Sequence, residues 1–288
     1  MNQQETGSVL GSSGRKDVRA EPFAYSVVDR PIPAELYARL SESFPPPEAF
    51  LGELEEVQSN QAVRIPASRV IGNPAFSPEW QAFFRYHTSD AFWADIVRVF
   101  GDSIRATYPD LEARVGKPLE DWTTKLRGEA GEAEVDFDLL FVINTAVEKP
   151  NSVRPPHVDD ERKLFSGLFY MRPEDDATPG GDLAIYRAKP DELRFGGHYV
   201  EERDIARSKL IDYTANRFIG FVNSERSVHG VTPRPQTEAI RRYINFVAEL
   251  PFPLFKLQKL PWHRKQLFRL TRKDKAAGVT LGFGARVD

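Results

Sequence analysis

The segment Val153-Arg154-Pro155-Pro156-His157-Val158-Asp159-Asp160 places one of only five histidines in the 288-residue chain two positions ahead of an aspartate. In an extended segment residues i and i+2 project to the same face, so His157 and Asp159 offer a nitrogen and an oxygen ligand side by side. A second histidine, His229, follows the apolar run "FIGFV" at short range and is itself followed by Gly230, Val231, Thr232 and Pro233. Two imidazoles and one carboxylate form the facial triad that holds non-heme Fe(II) and leaves three adjacent coordination positions open. An open site binds and activates, whereas a closed one staples the fold. With no cysteine in the chain, disulfides and thiolate metal sites are excluded, and any metal rests on His, Asp or Glu.

Beyond His229 the run "AIRRYINFV" alternates, with Arg242, Ile244 and Phe246 on one face and Arg241, Tyr243 and Asn245 on the other. If the apolar pair faces the interior, Arg242 is a buried cation that needs a planar anion, and a carboxylate of a bound ligand would serve. A slip of one residue in register exchanges Arg242 for Arg241. Metal and arginine together outline a slot for a keto-diacid.

The elements that must position these residues read in two halves. From Phe23, "FAYSVVDRPIP" is a short strand and turn, and "AELYARLSESF" has helical spacing until Pro45-Pro46-Pro47 stops it. Between Pro78 and Tyr108 the aromatic run predicts two helices with broad buried faces, its aromatics serving as core. After Arg127 short segments rich in β-branched and aromatic residues ("FDLLFVINTAV", "KLFSGLFYM", "DLAIYRA", "RFIGFV", "RRYINFVAEL") are bounded by Pro, Gly, Asn or Asp. Helices followed by strands argue for an α+β fold with a double-sheet jelly roll.

The set "HVD" at 157–159, "GGDLAIY" at 180–186, "SVHGVTP" at 227–233 and "RRYINF" at 241–246 resembles the iron- and 2-oxoglutarate-dependent dioxygenases of the prolyl 4-hydroxylase-like group. Each short pattern is weak alone; their order and strand context make the combination specific. The resemblance spans roughly residues 135–250. It implies a double-stranded β-helix (jelly-roll, cupin-like) core with N-terminal helices packed on one sheet. It also implies His157, Asp159 and His229 as ligands of Fe(II), and Arg242 as the residue for the distal carboxylate of 2-oxoglutarate. Tyr170 falls where some members place a tyrosine on that carboxylate, and Asn144 stands near the position of a polar contact upstream of the first ligand. The expected reaction is hydroxylation of a small molecule, a glycan or lipid precursor, or a protein side chain, with release of succinate and CO2 and with ascorbate as an auxiliary reductant; the carboxylate at 159 stands against halogenation, whose enzymes lack it, and leaves desaturation or ring formation as the alternatives.

The organisation expected is a disordered polar tail over 1–21, a helical support region over 22–134, the oxygenase core over 135–252 and a basic extension over 253–288. Substrate choice is assigned to the segments between Tyr186 and Arg217 and from Gln58 to Ser77. Gly180-Gly181 reads as a turn, Asp160 and Glu161 as turn-capping groups, and His87, His198 and His263 receive no catalytic role. A net charge of -3 argues against a nucleic-acid partner, and the absence of an apolar leader or an eighteen-residue apolar window points to a cytoplasmic protein without a transmembrane segment. From Lys256 to Lys275 eight Lys or Arg face one Asp among interleaved apolar residues, a pattern for a helix packed on the domain, for an anionic surface or for a second subunit. Two other classes stay open: a cupin-like metalloenzyme that needs no keto-acid, which leaves the arginine unexplained, and a non-catalytic jelly-roll binding module.

Overall fold

The computed structural model describes residues 7–52, 56–189 and 192–261. Twelve strands carry the architecture: β1 (Tyr25–Asp29), β2 (Ala62–Pro66), β3 (Thr124–Leu126), β4 (Val135–Asn144), β5 (Lys163–Tyr170), β6 (Leu183–Ala188), β7 (Phe195–Gly196), β8 (Tyr199–Val200), β9 (Ile205–Ile211), β10 (Arg217–Val222), β11 (His229–Val231) and β12 (Arg241–Glu249). The large sheet runs β1-β10-β5-β12-β4-β2, with β3 parallel to β4, and the smaller one runs β11-β6-β9. His157 extends the small sheet by an antiparallel bridge to His229. The chain therefore passes β4 (large sheet), His157 (small), β5 (large), β6 and β9 (small), β10 (large), β11 (small), β12 (large). That winding is a double-stranded β-helix, and with the helical layer it makes the fold α+β, as the strand pattern predicts.

The helices Pro78–His87 and Asp90–Thr107 lie over the outer face of the large sheet. Ser77 caps the first through its hydroxyl, accepting from Trp80 N, and Pro78 opens it with a pre-set φ. Their aromatic faces meet the sheet directly: Trp80 packs edge-on against Phe141 with centroids 4.6 Å apart, Phe92 lies 5.6 Å from Phe246, and Phe100 lies 5.1 Å from Phe165. The odd-numbered residues Phe137, Leu139, Phe141 and Ile143 of β4, with Ile244 and Phe246 of β12, belong to this core. The even-numbered β4 residues Leu140 and Val142 instead join a small cluster on the other face, toward the second sheet.

Two expectations change. Residues 7–21 are not a disordered tail: Val9 and Leu10 are fully buried, Ser8 Oγ donates to Asp95 Oδ2 at 2.6 Å, and Val9 N donates to His87 Nε2 at 3.2 Å. The tail's polar composition hides one apolar pair that fills a gap between the helices. Within the region from Gln58 to Ser77, assigned to loops, β2 forms the sheet's edge and pairs with β4 from Ala62↔Asn144 to Pro66↔Leu140. Among the described residues no helix is long and apolar enough to cross a membrane. Of the basic extension only the start is described, with Leu254, Leu257 and Leu260 buried; residues 262–288, with His263, lie outside the described residues.

Candidate metal centre and its cavity

His157 and His229 are held opposite one another by a reciprocal pair of backbone hydrogen bonds, His157 N to His229 O at 2.8 Å and His229 N to His157 O at 2.9 Å. The tight approach depends on Gly230, where a Cβ would stand 3.0 Å from Pro156 N and 3.1 Å from Pro155 C. Extended geometry turns Val158 into an apolar cluster on one side and His157 and Asp159 to the other. The ligand atoms of His157, Asp159 and His229 lie within 4.8 Å of one another, and all three residues are buried.

Each imidazole is oriented by a carbonyl two residues upstream: His157 Nδ1 meets Pro155 O at 2.8 Å and His229 Nδ1 meets Ser227 O at 2.9 Å. Carbonyls only accept, so Nδ1 carries the proton in both rings and Nε2 keeps its lone pair for a metal. Burial holds the pKa of His157 well below the usual histidine range, with Arg154 and His229 adding to the effect. His229 is lowered chiefly by burial as well, against the opposing pull of Asp159. For Asp159 burial acts upward, but Lys163, the contact with His157, His229 and Arg154 together outweigh it and hold the carboxyl well below its ordinary range. Ser166 Oγ donates to Asp159 Oδ2 at 2.7 Å and fixes the carboxylate's rotation. Neutral imidazoles and an ionised, outer-tethered carboxylate are the state in which these residues bind a divalent metal, and the set suits Fe(II).

One cavity joins these three residues to Arg64, Arg154, Lys163, Ser166, Arg241 and Tyr243. The arginine facing it is Arg241, not Arg242. Both faces of β12 are buried, and Ile244 and Phe246 point away from the cavity into the helical layer, carrying Arg242 with them. Arg242 lays its guanidinium 4.9 Å over the Phe44 ring and donates through Nε to Met171 O at 3.2 Å. Arg241 is 1% exposed; its Nε donates to Gly181 O at 2.9 Å and its Nη1 to Asn144 Oδ1 at 3.2 Å. The rings of Tyr170, Tyr213 and Tyr243 surround the guanidinium at 5.1, 4.7 and 4.6 Å. Gly181, at φ +76°, is more than a turn residue, since a Cβ there would come within 3.1 Å of the Arg241 Cδ.

Asn144 is thus a support for Arg241. Tyr170 is fully buried in the same wall, and burial pushes its phenol up to about 12. Neither Arg241 Nη2 nor Tyr170 Oη has a hydrogen-bond partner among the described residues. These two donors, one on the guanidinium and one in the wall beside it, fit a carboxylate. Sequence reasoning overlooked Arg64, Lys163 and Ser166 as cavity residues; for Ser166 the signal was one hydroxyl at an inward position of an otherwise apolar strand. His87 is buried in the helical layer, and His198 pairs loosely with Glu161 at 3.9 Å, outside the cavity.

No protein family and no curated protein sequence matches the chain. Among solved structures it is similar to a Pseudomonas putida prolyl-4-hydroxylase, at 14% identity over 79% of this chain and 93% of that one, with a TM-score of 0.42. It is similar to a Trichoplax adhaerens prolyl hydroxylase in complex with a hypoxia inducible factor peptide fragment, at 13% identity over 78% and 83% of the two chains and a TM-score of 0.39. A Phytophthora capsici prolyl 4-hydroxylase matches at 13% identity over 86% of this chain and 64% of that one, with a TM-score of 0.43. These likenesses are remote, and the strand order described above carries the fold.

Proposed function

We propose that the chain is an Fe(II)- and 2-oxoglutarate-dependent dioxygenase that hydroxylates its substrate. The observation that supports this best is the meeting, in one cavity, of a buried two-histidine, one-carboxylate cluster and an enclosed arginine with an unpartnered Nη2. When bound, iron and 2-oxoglutarate supply the oxidising power: O2 puts one atom into the substrate's C–H bond and the other into succinate, with loss of CO2. The chain's own work is positioning. His157 and His229 present Nε2 in fixed tautomers, Asp159 is held by Ser166, and Arg241, steadied by Gly181 and Asn144, takes the far carboxylate of the co-substrate, with Tyr170 Oη as a second donor. Leu168, Leu183 and Phe221 line the space between and keep water from it.

The test is an anaerobic titration of apoprotein with Fe(II) and 2-oxoglutarate, following the visible charge-transfer band of the chelate. A band in the wild type that is lost in Asp159→Ala and weakened in Arg241→Leu supports the reading. Iron binding without 2-oxoglutarate binding would instead favour a metalloenzyme that needs no keto-acid, and no iron binding by folded protein would sink both.

A further inference from the structure

Arg241 accounts for one anion, yet the cavity wall carries three more cations, Arg64, Arg154 and Lys163, and Asp159 is the single acidic side chain among its lining residues. A divalent metal and a dianionic co-substrate cancel each other's charge, so the wall keeps its positive excess after both have bound. Asp159 cannot absorb it: Arg154 Nη2 and Lys163 Nζ stand at 3.7 and 3.5 Å from a carboxylate whose oxygens the metal and Ser166 also claim.

Arg64 is the most telling of the three. It lies on the edge strand β2 opposite Val142, which in turn lies opposite Tyr243, so its side chain enters the cavity from the rim. Its register neighbour Tyr243 packs on Arg241, while the cavity that Arg64 lines also takes in Arg154, His157 and Asp159, so Arg64 stands between the arginine end and the metal end. Its Nη1 is buried without a partner among the described residues, and so is Nε of Arg154. Two guanidiniums in one cavity repel each other, and each buried N–H left unpaired is destabilising, unless an oxyanion binds there.

We infer that Arg64 and Arg154 form an anion subsite beside the metal, and that the substrate carries a carboxylate or a phosphate monoester that this pair grips while the carbon to be oxidised faces the metal. This rests on the oxygenase reading and deepens it by naming the substrate class. Both anions suit the planar, bidentate donors of arginine. The subsite also gives a physical content to the substrate-selecting role expected of residues 58–77: one strand residue, Arg64, carries it.

The experiment loads the protein with Fe(II) and 2-oxoglutarate under argon. Phenyl phosphate, benzoate and neutral benzyl alcohol are then titrated against wild type, Arg64→Leu and Arg154→Leu, with the shift of the charge-transfer band as readout. Expected are saturable binding of at least one anion, none of the alcohol, a Kd raised about tenfold or more in each variant, and unchanged affinity of Arg64→Leu for 2-oxoglutarate. A preference for phenyl phosphate or for benzoate decides between phosphate and carboxylate. Thermal melting is the control for folding, since removing a half-buried cation whose Nη1 has no partner among the described residues should leave the melting temperature of Arg64→Leu equal or higher. Anions that bind no better than the alcohol, or equally well to the variants, overturn the inference. Loss of 2-oxoglutarate itself in Arg64→Leu also overturns it, by reassigning Arg64 to the co-substrate. A wild type that forms no chelate overturns the oxygenase reading, and this one with it.

Discussion

Along β12, Ile244 and Phe246 enter the aromatic layer under the helices while Arg241, Tyr243 and Asn245 line, on the reverse side, the cavity that contains His157, Asp159 and His229. The same contrast runs through the whole large sheet. Its outer face is a continuous set of ring contacts, Phe141 touching Phe44, Phe76, Trp80 and Phe84, with centroids between 4.6 and 5.8 Å. Its inner face, where the cavity reaches it, sets Arg64, Ser166, Arg241, Tyr243 and Asn245 among the apolar Leu168 and Phe221. Apolar surface removed from water holds the fold from one side, and unsaturated donors on the other side are kept for ligands. Burial alone therefore does not distinguish a core from a site; the number of unpartnered polar groups does.

Substitutions on the two faces should separate function from stability. The largest effect is expected from Asp159→Ala, which removes a metal donor: iron affinity should fall by well over the ~10–100-fold that outer-shell partners command, measured by equilibrium dialysis, while the melting curve moves little. Phe141→Ala is its counterpart on the outer face. It should cost about 3–5 kcal/mol in chemical denaturation and leave iron affinity intact in the protein that remains folded. Equal losses of metal binding in both would blur the division between the faces.

The neighbouring arginines give the sharpest comparison. Arg241→Leu should weaken 2-oxoglutarate binding about 100-fold, since truncating one member of a buried charge pair costs about 2–5 kcal/mol, and Arg242→Leu should leave it unchanged. A reversed outcome would mean that β12 binds the co-substrate in the register read from its apolar residues. The outer face also contains a titrating group, His87, which burial pushes down to about 3 from 6.5. Below pH 6.5 the unfolded chain binds a proton there that the folded one refuses, so stability falls with pH down to about 3. Between pH 7 and pH 5 the loss should be about 2 kcal/mol by urea denaturation, and His87→Gln should flatten it. His157 and His229, lowered in the same direction, add to the slope in the metal-free protein. The smallest effect belongs to Ser166→Ala, expected to weaken iron about tenfold with no change in stability.

Much of this was legible from residue order. The HxD segment predicts two side chains on one face, and the structure sets His157 and Asp159 so; the strand-like runs at 163–171, 182–188, 217–222 and 241–250 match β5, β6, β10 and β12 to within a residue or two. What misled was a premise, that the apolar residues of β12 face the site. Alternation groups residues by face but cannot say which face points where when both are buried. Likewise β2 is short and ends at Pro66, and its strand character comes from pairing with β4, a contact no local pattern encodes. Val9 and Leu10 sit in a polar stretch whose burial depends on a gap between distant helices.

The reciprocal backbone bonds between His157 and His229 have a consequence for how the protein is made. These residues lie far apart in the chain, and the donor set does not exist until β11 has closed onto the segment after β4. Such long-range closure comes late in folding, because its loop entropy must be overcome first. On the oxygenase reading, a nascent chain would offer a metal only the local pair His157 and Asp159, and the third ligand, His229, would join it once the barrel has closed.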